Sequence, residues 1–234
     1  MKLSVIIAAG GVGERMGRGS SKQLMMLAGM PVLARTIGVF QPLEMVTGIV
    51  VAIEPSHRQR CRDEVIGAYG FSKAVSLVGG GVNRAETVRN ALGAVGADTD
   101  TVLVHDGARP LFPARLLAEA LELLTGEGVD GVVFGLPVTD TIKEVDAAGA
   151  VVRTPERSRL WSVQTPQIFR RTVLEEAYGQ GPEVLAAATD DAGLVEKAGG
   201  RIRMVEGSRE NIKLTTPVDL LLAERILEAR GGGQ

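Results

Sequence analysis

Six charged residues at expected loop positions define the chemistry open to this 234-residue chain: Arg15, Lys22, Asp106, Arg109, Arg157 and Lys213. All but Asp106 are cations. Acyl transfer needs a nucleophile in contact with a base, and neither histidine, His57 or His105, has an evident nucleophile beside it. Metal-ligand spacings of His and Cys are absent. A cation-rich site without a nucleophile suits transfer at phosphorus, where the work is positioning and neutralising charge on phosphate oxygens. An attacking phosphate is already ionised near neutral pH, so no general base is required.

Two of these cations fall in the stretch that organises the chain, VIIAAGGVGERMGRGSSKQ from Val5 to Gln23. An apolar run ends in Ala8-Ala9 and gives way to Gly10, Gly11, Gly13, Gly17 and Gly19, interleaved with Arg15, Arg18 and Lys22. Glycines let backbone N–H groups turn inward around an anion, and the cations add full charge to the same pocket. A dinucleotide fingerprint fails, because its third glycine would fall at Met16; a Walker A loop fails around Lys22, which Gln23 follows. The remaining pattern, A-A-G…G-x-R-M-G…K-Q, resembles the signature loop of nucleotidyltransferases, with one residue more than usual between Gly10 and Arg15.

Two further segments offer chemistry. In Gly79-Gly80-Gly81-Val82-Asn83-Arg84 the glycines would let backbone groups approach a flat base edge and select a pyrimidine, with Thr87 adding a hydroxyl; one glycine would suffice for a tight turn alone. His105-Asp106-Gly107-Ala108-Arg109-Pro110 follows an apolar run directly. Asp106 could hold Mg²⁺, orient a substrate hydroxyl, or cap the loop. Arg109 could clamp a phosphate in a bidentate fork or pair with Asp106. His105 reads as a structural hydrogen-bonder.

The elements that must position these residues alternate strand and helix. Strands are expected over 3–9, 48–53, 74–78, 101–104, 131–138 and 201–205, and helices after Pro31, after a Ser56 cap, and over 83–95, 113–124 and 171–178. Thr189-Asp190-Asp191 caps another helix, and Thr216-Pro217 starts a last one with Leu220, Leu221, Ala223, Ile226 and Leu227 on its apolar positions. Such alternation predicts an α/β, Rossmann-like, mostly parallel sheet wound by helices on both faces, with ligands outside the strands' carboxyl ends. The glycine loop, the triple glycine and Asp106 all fall there. The pattern breaks at 139–155, where TDTIKEVDAAGAVVRTP reads as a β-hairpin too short to be stable alone, hence an arm. A single domain over 1–230 is expected, with a disordered 231–234 tail.

Taken together, these motifs resemble one family, the 2-C-methyl-D-erythritol 4-phosphate cytidylyltransferases of isoprenoid biosynthesis. The resemblance rests on AAG…GERMG…KQ, GGG…R, VHDGARP, PVTDTIK, ERSRLWSVQTPQ, TDDA and VEGS…NIKLTTP, in order along nearly the whole chain. It implies that CTP and methylerythritol phosphate give the CDP-alcohol and pyrophosphate, with Mg²⁺. It implies that Arg15 and Lys22 stabilise charge on the α-phosphate. Arg157 and Lys213 would position the substrate phosphate, helped by Asp106, Arg109 and Thr141, with Thr165 and Thr189 also on the substrate side. Ala8, Ala9, Gly10, Gly11, Gly13, Gly80, Gly81, Arg84 and Thr87 would hold the nucleotide. It also implies a homodimer whose crossing arms carry Thr141 and Arg157 to the neighbouring site.

Two rivals are a ribitol 5-phosphate cytidylyltransferase, which resembles HDxVRP and DTIVE where this chain has Ala108 and Lys143, and a non-catalytic nucleotide-binding module, which would not need Arg157 and Lys213 together. A net charge of −2 argues against a general nucleic-acid binder. Cys61 is the only cysteine, as suits a reducing cytosol, and neither a signal peptide nor a membrane span is expected.

Overall fold

The computed structural model describes residues 1–11, 22–73, 75–126 and 128–231. In chain order the strands are β1 Leu3–Ala9, β2 Met26–Leu27, β3 Met30–Pro31, β4 Val46–Ile53, β5 Val75–Gly79, β6 Thr101–Asp106, β7 Gly131–Pro137, β8 Glu144–Val145, β9 Val151–Arg153, β10 Trp161–Arg170 and β11 Ile202–Glu206. The helices are α1 Val32–Phe40, α2 Arg58–Cys61, α3 Arg84–Leu92, α4 Leu117–Thr125, α5 Arg171–Tyr178, α6 Pro182–Ala186, α7 Asp191–Lys197 and α8 Pro217–Gly231. Among the described residues, seven strands form one sheet in the order β11-β7-β10-β6-β1-β4-β5. Every pairing is parallel except those of β10, which runs antiparallel between β6 and β7.

The two-residue period of a strand divides the core between the sheet's faces. Leu3, Val5, Ile7 and Ala9 of β1, with Ile49, Val51 and Ile53 of β4, join α1 and α4 on one face. Ile6 of β1, Val50 and Ala52 of β4, and Val102 and Val104 of β6 join α3, α5 and α7 on the other. A third cluster packs Ala223 of α8 against Leu27, Leu111 and Leu214. The doubly covered, mostly parallel sheet expected from the alternation is therefore observed.

Four local differences have physical causes. Thr165-Pro166-Gln167, assigned to no strand from the sequence, is the middle of β10; Gln164, Thr165 and Gln167 are buried polar side chains whose hydrogen bonds replace apolar burial. Ser56 does not cap the helix that follows: it lies in a 3₁₀ turn over Pro55–His57, and among the described residues its hydroxyl meets only the Glu54 carboxylate and the His57 ring. In α8, Leu221 is 64% exposed beside Leu222 and Val218, because apolar residues are spread around this helix among its charged ones and periodicity does not select its inner face. Gly231 closes α8 instead of opening the tail.

The hairpin is present as β8 paired with β9. Asp146 organises its turn, accepting from the N–H groups of Ala148 and Ala150 at 2.9 Å each, and Gly149 takes the left-handed φ of +82°. Every residue from 140 to 154 is exposed.

Candidate active site

β1, β4, β5 and β6 deliver their carboxyl ends to one cleft of about 360 Å³. On its β4–β5 side two glycine turns cross. The Gly80 N–H donates to the Ile53 carbonyl at 2.8 Å, which presses the turn onto the end of β1. A Cβ on Gly80 would stand 2.8 Å from Gly10 Cα, and one on Gly10 would stand 3.1 Å from Gly80 Cα and 2.8 Å from Thr87 Oγ1. A Cβ on Gly81 would overlap the Glu86 side chain. Two glycines of the triplet thus have packing reasons in addition to any approach to a base. Thr87 Oγ1 accepts from the Gly81 N–H and donates to the Asn83 carbonyl. Asn83 caps α3 by accepting from the Glu86 N–H, and the Glu86 carboxylate reaches back to the Val82 N–H. Ala8 lines the cleft, whereas the Ala9 side chain is buried in the core, so Ala9 can offer a ligand only its backbone.

The β6 side is electrostatic. Asp106 Oδ1 pairs with Arg84 Nε at 3.2 Å, and Oδ2 pairs with Lys213 Nζ at 2.8 Å and Arg109 Nε at 3.5 Å. Burial would push the Asp106 pKa up; Arg84, Lys213 and Arg109 more than reverse this and hold the carboxyl well below the usual range. Arg84 also donates to the fully buried Asp191 at 2.8 Å, and Asp191 accepts from the Tyr178 hydroxyl at 2.5 Å. Burial lowers the Arg84 pKa, but Asp191 and Asp106 outweigh it and hold the guanidinium charged. Burial and then Asp191 push the Tyr178 pKa up, so the phenol stays protonated. Three cations against two carboxylates leave one net positive charge on this floor, suited to a phosphate.

Lys213 reaches Asp106 because its segment is clamped. Asn211 Nδ2 donates to the Thr165 carbonyl, Arg109 Nη1 donates to the Asn211 carbonyl, and the Leu214 N–H donates to the Ala108 carbonyl, all at 2.8 Å. His105 is structural. Burial lowers its pKa to about 4, and its Nε2 lies 2.9 Å from the Arg109 carbonyl, which can only accept. The ring therefore carries its proton on Nε2, and Nδ1 accepts from the Thr165 hydroxyl at 3.2 Å. The Asp106 N–H donates to the same hydroxyl at 3.0 Å. Thr165, expected on the substrate side, spends its hydroxyl on holding the end of β6.

Asp106 does not fit a protein-held Mg²⁺, since both its oxygens already face cations. No group of three or more His, Cys, Asp or Glu side chains suited to a metal occurs among the described residues.

The fold thus brings together Ala8, Gly10, Gly11, Gly80, Gly81, Arg84, Thr87, Asp106, Arg109 and Lys213. It does not bring in three others: Thr141 is exposed on the arm, Arg157 just beyond it donates to the Thr139 carbonyl, and Thr189 is exposed beside the α7 cap. Gly13, Arg15 and the Lys22 side chain lie outside the described residues. Tyr178, Asp191 and Gln167 were not anticipated. The available signal was the acid pair Asp190-Asp191: one acid caps α7, accepting from Gly193, and the other is free to face Arg84.

The family model for IspD, 2-C-methyl-D-erythritol 4-phosphate cytidylyltransferase, matches residues 3–229. The chain is 43% identical over 235 residues to the enzyme of that name from Syntrophotalea carbinolica, covering all of both chains. It is 40% identical over 233 residues to that from Alkaliphilus metalliredigens, covering all of this chain and 96% of the relative. Among solved structures, that of the Francisella tularensis enzyme of the same name superposes with a TM-score of 0.82 at 29% identity, over 96% of this chain and 99% of the other. With nucleotide-loop glycines and a cation-bound aspartate converging on one cleft, the chain belongs to the 2-C-methyl-D-erythritol 4-phosphate cytidylyltransferase family.

Proposed function

We propose that the cleft transfers a cytidylyl group chiefly by positioning and charge neutralisation. The enzyme joins CTP and 2-C-methyl-D-erythritol 4-phosphate to give 4-diphosphocytidyl-2-C-methyl-D-erythritol and pyrophosphate, a step of the non-mevalonate isoprenoid pathway. A phosphate oxygen of the alcohol phosphate bonds to the α-phosphorus of CTP. The bond from that phosphorus to the bridging oxygen breaks, and pyrophosphate leaves with the electron pair. Arg15 and Lys22 stabilise the charge that develops on the α-phosphate, while Lys213, Arg109 and Arg157 hold the incoming phosphate. The observation that carries this reading is Asp106 bound by Arg84, Arg109 and Lys213 at the end of β6, facing the crossed glycine turns. The lysine and the arginines are pre-set toward the cleft without a mobile counter-ion. A divalent cation, which such transferases generally use, is carried by the nucleotide phosphates and not by Asp106.

We further propose that residues 1–230 form one catalytic domain and that two copies share their sites. The arm supports this: Val145, Val151 and Val152 are all more than half exposed, and among the described residues neither Thr141 nor Arg157 at its base lines its own cleft. An isologous pair would cover that apolar row and bring Arg157 to the partner's cleft. A cytoplasmic location is supported by the lone, buried Cys61, whose thiol pKa burial pushes up to about 11. Among the described residues no helix is long and apolar enough to cross a membrane. Pyrophosphate release from CTP tests the function: methylerythritol phosphate should support turnover and ribitol 5-phosphate should not. Equal turnover with both, or none with either, would overturn the reading.

A further inference from the structure

Arg84 stands between two carboxylates, and which nitrogen goes to which oxygen decides where Lys213 rests. Its Nε donates to Asp106 Oδ1 at 3.2 Å, and its Nη2 donates to Asp191 Oδ2 at 2.8 Å. Nε and Nη2 form the edge with which a guanidinium commonly clamps both oxygens of one carboxylate. Here that edge is divided. Asp191 can hold its half because it is fixed at both ends. Gln167 Oε1 accepts from the N–H groups of Asp191 and Ala192 at 3.1 and 3.0 Å, and the Tyr178 hydroxyl donates to Asp191 Oδ1. Asp191 is fully buried and meets no ligand itself.

The division leaves Asp106 Oδ2 to other cations. Lys213 Nζ lies 2.8 Å from it and Arg109 Nε 3.5 Å. A carboxylate oxygen has two lone pairs, and these two cations take both. Nη2 of Arg84 could complete a clamp on Asp106 only by displacing one of them. Arg109 is pinned: its side chain is 12% exposed, and its Nη1 donates to the Asn211 carbonyl at 2.8 Å. The Lys213 side chain is 38% exposed and, among the described residues, has Asp106 as its one ion-pair partner. The lysine is the cation that would yield.

We propose that Asp191 positions Lys213 for the acceptor phosphate. By keeping Nη2 of Arg84, it prevents the bidentate clamp and leaves Asp106 Oδ2 to hold the ammonium at the cleft floor. This rests on the reading above that Lys213 holds the phosphate of methylerythritol phosphate. Asp191 is then a positioning residue, acting through the successive ion pairs of Arg84 with Asp191, Arg84 with Asp106, and Lys213 with Asp106.

The test measures KM for methylerythritol phosphate at saturating CTP in the wild-type protein, Asp191→Asn, Arg84→Lys and the double variant. KM does not depend on the fraction of protein that is folded. An amide has one acceptor oxygen for two donors, Tyr178 and Arg84, so Asp191→Asn frees Nη2 to clamp Asp106. KM should rise by about tenfold or more, the loss of one charge-assisted contact. Lysine keeps the charge but cannot bind two oxygens side by side. Adding Arg84→Lys to Asp191→Asn should therefore lower KM again, although it alters a second member of the same network. An unchanged KM in Asp191→Asn overturns the proposal. So does a double variant no better than Asp191→Asn, the result that mere structural damage would give. Arg84→Lys alone tests the same point whether or not Asp191→Asn folds. Its KM should stay near that of wild type, and a rise as large as that of Lys213→Ala overturns the proposal by placing Arg84 itself on the phosphate. A Lys213→Ala variant with unchanged KM overturns the underlying reading of the lysine instead.

Discussion

The cleft floor and the arm use the same side-chain types under opposite conditions. On the floor, Arg84 and Asp191 form an ion pair in which the carboxylate is fully buried. On the arm, Arg153 and Glu144 form one whose side chains are 70% and 48% exposed. Water screens the second pair, which contributes at most about 1 kcal/mol. The first cannot lose a partner without leaving a charge stranded in low dielectric. The valines divide the same way: those of β1, β4 and β6 are buried within the chain, whereas those of the arm are exposed. A site can therefore be rigid on one side and incomplete on the other. The floor is preorganised by the fold, and under the shared-site proposal the arm's part is left to assembly.

The largest test of that contrast is complementation. Lys22→Ala should lower kcat by about two to three orders of magnitude as a homodimer, the usual loss of a preorganised donor to developing charge, and Arg157→Ala should be inactive because the incoming phosphate is no longer held. Exchanging subunits between them yields heterodimers in which one site holds both lesions and the other neither. Activity should then recover toward about half of wild type per heterodimer. A mixture that stays inactive after verified exchange, or a fully active monomer in sedimentation, would put the arm back on its own chain.

The next effect is on stability. Arg84→Met strips the counter-charge from the buried Asp191 and one of three cations from Asp106, and should cost about 3–5 kcal/mol, a Tm loss on the order of 10 °C for a chain of this size. Glu144→Gln in the arm should stay within about 0.5 kcal/mol. Equal Tm shifts in a thermal melt would erase the distinction.

Acid sharpens it further. The folded pKa of His105 is depressed to about 4 from the ordinary 6.5, so the unfolded chain binds the extra proton first. Stability is complete above about pH 6.5 and is lost as pH falls toward 4, by roughly 3 kcal/mol from this group. The low-lying Asp106 carboxyl extends the loss to lower pH. Chemical-denaturation curves at stepped pH should show His105→Gln losing the component between 6.5 and 4, and a persisting component would assign it elsewhere. The smallest effect is Tyr178→Phe, which removes one hydrogen bond to a buried carboxylate and should cost about 2 kcal/mol. If Tyr178 positions Arg84, its kcat/KM falls while the Glu144→Gln control keeps its own; a Tm loss with unaltered kinetics would make the tyrosine a packing residue only.

Much of this contrast is legible in sequence, and the parts that are not share a cause. β1 and α5 match their expected bounds because their apolar periods are clean. β10 escapes notice because its centre reads Gln164-Thr165-Pro166-Gln167, polar residues and a proline that argue against a central strand. Those side chains are buried because they bind Ser208, Asn211, His105 and Asp190, partners 23 to 60 residues away that no local pattern reveals. The same holds for Tyr178 and Asp191, which look like a helix end and a spare cap until α5 and α7 pack together. Motif order picks out the residues expected to meet the ligand; the residues that steady them are apparent only from long-range contacts.

The crossing of Gly10 and Gly80 bears on how this protein can change over generations. Most steric conflicts in a core can be relieved by trimming the neighbour. Here the obstacle to a side chain on either residue includes the other's backbone, and the other is already the smallest residue available. No second-site suppressor at the partner position can rescue a substitution at either glycine. The two loops, separated by some 70 residues of sequence, are thus inherited as a unit, and a chimera that exchanges one nucleotide loop with a relative must preserve the glycine opposite it.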